Sequence, residues 1–238
     1  MYSVASRIGY CQCDEHWRLK PEALIDLFQN CSTFQTEDLG MGTAFVEEHQ
    51  AGWILASWDI HIKRLPMHGE EVTASTWPYG FDRLFGYRNY RLDSVDGELL
   101  AYADAVYFYF DLTKGRPIRI PVEVQEKFAG SFEEKLPYEF APRKILLPET
   151  FTDQQPFTVR KGDIDTNHHV NNAVYLRYAA DLIPPSASIR ELRVEYILAA
   201  VEGDTIVPAV SNGSDVTVIA LNNPAGKPFA TIEVTCST

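Results

Sequence analysis

The apolar positions of the first half of the chain follow a helical spacing and then a strand alternation. In PEALIDLFQNCSTF they recur at intervals of three and four residues, namely at Leu24, Leu27, Phe28 and Cys31. Pro21 suits the first helical position. The runs that follow are rich in β-branched and aromatic residues and are separated by turn signals: GWILASWDIHIKRL, EEVTASTWPYG, LFGYRNYRLDS and ELLAYADAVYFYFDL. The pattern predicts one helix followed by antiparallel strands.

The second half repeats this order. A short strand, PFTVRKG, leads into the polar stretch GDIDTNHHVNN, and a helix is predicted from about Asn172 to Ile183. Its apolar face is predicted from a spacing of four residues, at Val174, Tyr178 and Leu182. Pro184-Pro185 ends it, and three strand-like runs follow: IRELRVEYILAAVEGDTIVPAV, DVTVIALNN and PFATIEVTCS.

The two halves align without a gap around one turn. Residues 58–72 (WDIHIKRLPMHGEEV) lie over residues 192–206 (LRVEYILAAVEGDTI), so that Gly69 matches Gly203. We therefore predict a duplicated α+β unit in which an antiparallel sheet wraps an apolar helix, with the two copies side by side. The predicted boundaries are 1–120 for the first repeat, 121–152 for a proline-rich connecting segment, and 153–238 for the second repeat.

Composition and charge exclude several classes of function. The formal net charge of −12 argues against nucleic acid as a partner, because phosphate binding needs clustered Lys and Arg. Phosphate-binding glycine loops and a GxSxG elbow are missing from the sequence. The chain has no apolar run long enough for a membrane span, no signal peptide is recognised at its start, and its four cysteines are scattered. We expect a cytoplasmic protein with reduced thiols.

The polar stretch DIDTNHHVNN admits four interpretations. Asp and Asn form Asx turns and cap helices, so Asn171 or Asn172 is a natural N-cap. A calcium loop is rejected because His168 stands where glycine is needed and Val174 where glutamate is needed. A zinc site lacks a second pair of ligands at the usual spacing. Hydrolysis is the fourth interpretation.

A hydrolytic site needs an acid or nucleophile, a base and donors for an oxyanion. If the stretch runs extended, the alternate residues Asp165, Asn167 and His169 face one way. The helix that follows would offer free backbone N–H groups and the positive end of its dipole. We expect His168, between them, to be a turn residue.

The chain resembles the acyl-ACP thioesterases, in their bacterial form, over nearly its full length. The resemblance lies in STWPYGFDRLFGYRNYRL and FDLTKGRPIRIP, and above all in DIDTNHHVNNAVY, close to the family's D-x-D-x-N-x-H-V-N-N-x-x-Y. It implies a double hot-dog fold without metal or organic cofactor. It also implies that Asp165 acts directly or through water, that His169 is the acid/base, and that Asn167 orients. Asn171 and Asn172 are possible supporting residues.

One position departs from the family pattern. The resemblance implies a glutamate four residues after Glu195, and the chain has Ala199 there. Glu195, which lies on the same side of an ideal strand, or Glu202, just before the turn, would have to substitute. The first half carries Asp14 and His16 at the matching place but no Asn-Asn pair, and is interpreted as non-catalytic.

The function hypothesis is hydrolysis of fatty acyl-ACP to free fatty acid and holo-ACP. The alternatives are an acyl-CoA thioesterase, a non-catalytic acyl-thioester-binding protein that has lost the glutamate, and a hot-dog hydratase. Acyl carrier protein is acidic, so binding it needs a local basic patch. The candidate patches are Lys63-Arg64, Arg116 to Arg119 and Arg143-Lys144. A monomer and a homodimer are both open.

Overall fold

The computed structural model describes residues 1–183 and 188–237. Two compact units divide the chain. The first comprises Met1–Ala56 and Lys63–Ala141, and the second comprises Ser57–Ile62 and Pro142–Thr238. Within the described part of the chain, no helix is both long and apolar enough to cross a bilayer.

The first unit is an antiparallel sheet with a long helix. Its elements, in chain order, are β1 (Tyr2–Arg7), α1 (Pro21–Asp38), α2 (Thr43–His49), β2 (Ala51–Ile62), β3 (Glu71–Phe81), β4 (Phe85–Ser94), β5 (Leu99–Asp111), β6 (Arg116–Pro117) and α3 (Val122–Phe128). The strand order is β1-β3-β4-β5-β2, with β6 paired to β5. The last six residues of β2 belong to the second unit.

Helix α1 confirms the predicted apolar stripe. Leu24, Leu27, Phe28 and Cys31 are all buried, and α1 packs on β1 and β3. The ring of Phe28 lies 5.2 Å from the ring of Tyr90 on β4, centroid to centroid. The stripe forms because residues three and four apart share one helix face.

The predicted connecting segment is partly a helix of the first unit. Pro121 precedes α3, and the apolar residues Val124 and Phe128 are spaced by four positions. Both are buried in a cluster that includes Met41 and Tyr109. Residues 122–128 therefore contribute to a core and not only to a connection. The boundaries at 120 and 153 stay a prediction.

The second unit repeats the arrangement. Its further elements are β7 (Thr152–Asp153), β8 (Phe157–Thr158), α4 (Asn172–Ala179), β9 (Ser188–Tyr196), β10 (Thr205–Asn212), β11 (Val216–Asn222) and β12 (Pro228–Ser237). The order is β2-β9-β12-β11-β10-β7, with β8 paired to β10. The strand pairs among its described residues are all antiparallel.

Helix α4 is shorter than predicted, and its buried face differs. A 3₁₀ turn, Ala180–Leu182, follows it, and Ile183 is extended, as expected for a residue before proline. The predicted Pro184-Pro185 stop lies outside the described residues. Of the predicted apolar face only Val174 is buried, because α4 packs on β11 and β12 through a wider face, formed by Ala173, Val174, Tyr175, Leu176 and Ala179.

The internal repeat is confirmed at the aligned turns. Gly69 and Gly203 both have positive φ, 82° and 88°, a region that glycine enters without steric cost. Each donates its amide to the residue that directly follows a short strand of its own unit: Gly69 to Ile8 O, after β1, at 2.8 Å, and Gly203 to Val159 O, after β8, at 3.1 Å. The alignment of 58–72 with 192–206 is therefore structural.

Candidate active site

The polar stretch is a closed loop, so the predicted extended conformation is wrong. Ile164 and Val170 form an isolated antiparallel bridge. Inside it, the amide of Asp165 donates to His169 O at 2.8 Å, and the amide of His168 donates to Asp165 O at 3.1 Å. The alternation argument for Asp165, Asn167 and His169 fails because it holds only for an extended strand.

Asp165 closes the loop with its own side chain. Its Oδ1 accepts a hydrogen bond from the amide of Asn167 at 2.8 Å, which is an Asx turn. His168 has φ 63°, in the left-handed region. The prediction that His168 is a turn residue is confirmed. The Asn167 residue is exposed, and His169 and Asp165 are half-buried.

The same loop occurs in the first unit. Cys13 bridges Leu19, the amide of Asp14 donates to Arg18 O at 2.8 Å, and Asp14 Oδ1 accepts from the amide of His16 at 2.8 Å. Trp17 has φ 63°, as His168 has. Asp14 thus matches Asp165, His16 matches Asn167, and Arg18 matches His169. The loop conformation needs the aspartate, but it needs neither the amide side chain nor the imidazole.

Asp163 fixes the second loop to α4. Its Oδ2 accepts from Tyr178 Oη at 2.7 Å and from the amide of Arg160 at 3.1 Å, and its Oδ1 pairs with Arg177. Burial raises the pKa of the Asp163 carboxyl. The hydrogen bonds from Tyr178 and Arg160 and the charge of Arg177 outweigh burial and leave that pKa below its usual value.

The asparagine pair begins α4. Asn171 is the N-cap, and its Oδ1 accepts from the amide of Ala173 at 2.9 Å, which confirms the predicted capping role. The amide of Val174 donates to Asn171 O at 2.9 Å. The expectation of free donors is therefore wrong for Ala173 and Val174. Asn172 O accepts from Tyr196 Oη at 3.0 Å, which ties the helix start to β9.

Tyr175 is a further residue of the site, not among those predicted from the sequence. It is 3% exposed, and its hydroxyl oxygen accepts from the amide of Ala200 at 3.0 Å. Ala200 O in turn accepts from the amide of Val170 at 2.9 Å. Burial, with added repulsion from the charges of Asp165 and Asp204, raises the pKa of Tyr175 to about 12. The signal was present, because Tyr175 is the last residue of the N-N-x-x-Y pattern.

The carboxylate of Glu195 binds the segment that contains Arg143 and Ile145. Strand β9 ends at Tyr196, so the ideal-strand argument that put Glu195 and Ala199 on one side does not apply. The amides of Ile197 and Leu198 both donate to Phe229 O, which is a local irregularity of the ladder. Glu195 is buried, accepts from the amide of Ile145 at 3.1 Å and pairs with Arg143 at 3.5 Å.

Glu202 and Ala199 are both exposed, next to the segment that holds Val170. Asp204, the acid of the turn, accepts from the amide of Val201 at 2.9 Å and closes the turn. The loop that begins after β9 thus contacts the polar loop through Ala200, and its exposed positions include Ala199, where the resemblance implies a glutamate.

The three candidate basic patches differ in their charge balance. Arg64 makes two hydrogen bonds of 2.9 Å to Glu70 and also pairs with Glu98 at 2.6 Å. Arg143 pairs with Glu195. Arg116 and Arg119 are exposed. The Arg116 to Arg119 patch therefore has two exposed arginines, whereas each of the other two patches has one arginine paired with glutamate and one exposed lysine, Lys63 or Lys144.

The chain matches a known family over most of its length. Residues 2–128 match the acyl-ACP thioesterase N-terminal domain, and residues 148–221 match the acyl-ACP thioesterase C-terminal domain. The chain belongs to the acyl-ACP thioesterase family. The predicted α+β double hot-dog fold is confirmed by its structural neighbours.

Two solved structures and one curated relative illustrate the similarity. A candidate oleoyl thioesterase from Lactobacillus plantarum is 26% identical, with a TM-score of 0.87 over 100% of this chain and 96% of that chain. An acyl-ACP thioesterase from Bacteroides thetaiotaomicron is 22% identical, with a TM-score of 0.88 over 99% of this chain and 97% of that chain, and shows the fold. The palmitoyl-acyl carrier protein thioesterase of Cuphea hookeriana is 29% identical over 138 residues, 56% of this chain and 33% of that protein.

The curated relatives are longer than the region they share with this chain. The chain spans 42%, 34% and 33% of the full length of three curated acyl-carrier-protein hydrolases or thioesterases that it matches.

Proposed function

We propose that the protein hydrolyses fatty acyl-ACP to a free fatty acid and holo-ACP. The observation that carries the proposal is the contrast between the two loops. Both have the same turn and the same capping aspartate, but only the second adds an amide at Asn167 and an imidazole at His169. Turn geometry accounts for Asp14 and Asp165 alike and leaves Asn167 and His169 to be explained by chemistry.

The roles of the three side chains follow from their chemistry. Oδ1 of Asp165 is engaged with the Asn167 amide, so the other carboxylate oxygen takes the proton of an attacking water or attacks the acyl carbon itself. Attack on the acyl carbon forms the new C–O bond and the C–S bond then breaks; where the carboxylate itself attacks, water subsequently hydrolyses the acyl anhydride and regenerates Asp165. His169 acts as the general acid and delivers a proton to the leaving thiolate. Asn167 donates a hydrogen bond to the acyl oxygen.

Hydrogen bonds of neighbouring residues hold the loop that carries Asp165, Asn167 and His169 in place. Asp163 links the loop to Arg177 and Tyr178 of α4, and Tyr175 links α4 to Ala200, which binds Val170 at the end of the loop. Catalytic groups act only when held within a narrow range of geometry. These contacts supply that restraint in the second unit.

Family membership supports ACP as the carrier. The Bacteroides thetaiotaomicron and Cuphea hookeriana proteins are named as thioesterases acting on acyl-ACP or palmitoyl-acyl carrier protein. The four cysteines are free thiols, which supports the cytoplasm as the compartment. We propose the exposed pair Arg116 and Arg119 as part of the ACP-binding surface.

A second function is favoured by one observation. Ala199 stands where the family pattern has glutamate, and the nearby Glu195 is engaged by Arg143 and the Ile145 amide. A protein that binds acyl thioesters without hydrolysing them is consistent with this loss.

Thiol release separates these functions. Purified protein is mixed with acyl-ACP and acyl-CoA substrates of C4 to C18, and the free thiol is measured. The proposal expects release that is faster from ACP than from CoA at one range of chain lengths. Faster release from acyl-CoA would show that CoA, and not ACP, is the preferred carrier. Binding of acyl-ACP without any thiol release would show that the protein binds acyl thioesters without hydrolysing them.

A further inference from the structure

We propose that Asp59, His61 and Glu191 form a binding site for a divalent transition-metal ion of the Zn²⁺ class. None of the three lies in the polar loop, and the inference does not depend on the proposed hydrolysis. The residues lie on β2 and β9, within the second unit.

Strand register brings the three side chains to one face. β2 and β9 are antiparallel, with His61 opposite Glu191 and Asp59 opposite Arg193. Residues two apart on a strand point to the same side, and directly opposed residues share a face. Asp59 and His61 therefore point the same way as Glu191. Ile60 and Leu192, which alternate with these residues along β2 and β9, and Trp58, which precedes Asp59, are buried on the other face.

The distances suit a small cation with nitrogen and oxygen ligands. One ligand atom from each residue lies within 4.8 Å of the other two. Asp59 Oδ1 is 3.2 Å from His61 Nε2. Zn²⁺ binds such ligands at about 2.0–2.1 Å, so neighbouring ligand atoms of a tetrahedral site lie about 3.3 Å apart. Glu191, directly opposite His61, is half-buried.

The local charge favours a dication. Asp59 is 6% exposed and faces the second carboxylate of Glu191. The cation across from Asp59, Arg193, directs its guanidinium to Glu233 and to the carbonyl oxygens of Pro142 and Lys144. Bringing two carboxylates together away from water costs free energy, and a bound dication offsets that cost.

The donor set selects the kind of metal. Two carboxylates and one imidazole suit Zn²⁺, Co²⁺ or Mn²⁺. Ca²⁺ requires six to eight oxygen ligands, and the described cluster offers an imidazole and fewer oxygens. A metal held this way joins β2 to β9 through side chains as well as through the ladder, and it leaves a coordination position for water.

The test uses the full chain freed of metal with a chelator and titrated with Co²⁺ and with Zn²⁺. Co²⁺ binding is followed by its visible absorption, and Zn²⁺ binding by calorimetry and by the shift in Tm. We expect one equivalent to bind and to raise Tm. His61→Gln and Glu191→Gln are expected to weaken binding at least about tenfold, because each removes a ligand.

Two controls make the assignment specific. His16→Gln removes an exposed histidine that lies 3.7 Å from Glu15, a histidine–carboxylate pair with no third ligand grouped to it among the described residues. His169→Ala removes the imidazole of the candidate active site. Neither variant is expected to change the metal affinity measured for the wild type.

Glu191→Gln is isosteric and removes a repelling charge, so the metal-free variant is expected to fold with a urea midpoint no lower than that of the wild type. The proposal is overturned if the wild type binds neither ion. It is also overturned if Glu191→Gln and His61→Gln bind as tightly as the wild type, or if His169→Ala abolishes binding, which would assign the metal to the polar loop.

Discussion

Asp14 and Asp165 occupy the same position in two copies of one loop. Each donates its amide at 2.8 Å to the carbonyl four residues ahead, and each accepts the amide two residues ahead on Oδ1 at 2.8 Å. The residue that follows this turn has φ 63° in both copies. Duplication therefore provides an internal control, because the first copy shows what the fold alone demands of the second.

The two adjacent histidines are expected to differ sharply. His169→Ala should lower kcat by about 10²–10⁴-fold, the usual range for loss of a general acid. His168→Ala should leave kcat nearly unchanged, and His168→Gly should keep or raise stability because glycine accepts φ 63° without strain. Steady-state thiol release and urea denaturation of the three variants measure both effects. A lower kcat for His168→Ala than for His169→Ala would assign the acid/base role to His168.

The missing carboxylate can be restored at Ala199. This residue is exposed and lies beyond the end of β9, so a glutamate there displaces no core side chain. Ala199→Glu should preserve or raise turnover. The matched variant is Val201→Glu, which adds the same charge to an exposed position of the same loop and should not raise turnover. A collapse of turnover in Ala199→Glu alone would show that another group needs that space.

Asp163 should make stability depend on acid pH. Its folded-state pKa is lowered, so its contribution is fully present above about pH 4, the usual value for Asp, and is lost as pH falls through the lower folded pKa. Asp163→Asn should cost about 1.5–3 kcal/mol at pH 7, the range for hydrogen bonds to a charged group. It should cost clearly less at pH 2.

Urea midpoints of wild type and variant at both pH values test this. Tyr178→Phe is the matched variant, because it keeps the ring that packs 4.8 Å from Phe157 and removes only the hydroxyl that binds Asp163. It should show a smaller change of the same sign. An equal difference between wild type and Asp163→Asn at pH 7 and pH 2 would remove Asp163 as the source of the pH dependence.

The exposed arginines should act on the carrier and not on the thioester. Arg116→Glu with Arg119→Glu should lower kcat/KM for acyl-ACP by about tenfold at low salt and less at high salt, since exposed charges are screened. A short uncharged thioester should be hydrolysed at the wild-type rate. Equal losses on both substrates would assign the effect to folding or to the active site, not to ACP binding.

Much of the fold was predictable from periodicity. The stripe of α1 and the Gly-acid turn repeated at 69 and 203 are local signals, and both are confirmed. Helix α3 was missed because its seven residues lie among prolines, and its buried Val124 and Phe128 are defined by contacts with distant residues. The spacing of apolar residues predicts a single helix or strand, but it does not predict which other element that helix or strand packs against.

The candidate site was predictable only in composition. The motif identifies the residue types, but the alternation of its residues predicts an extended conformation. The hydrogen bond from the Asn167 amide to the Asp165 side chain instead turns the chain, and alternation does not predict that bond. The contact of Tyr175 with Ala200, and the pairing of Glu195 with Arg143, join residues 25 and 52 positions apart in sequence. Such contacts depend on strand register and on where β9 ends.

The measurement that tests the account most directly is thiol release from acyl-ACP by Asp165→Ala beside Asp14→Ala. Both variants lose an Asx-turn hydrogen bond, and Asp14→Ala also loses the bond from the amide of Arg18 at 2.9 Å, so each should lose at least about 1 kcal/mol of stability. Only Asp165→Ala should lose turnover, by orders of magnitude, while Asp14→Ala keeps the wild-type rate. Equal turnover in the two variants would show that Asp165 serves the fold and not the chemistry, and would contradict the proposed site.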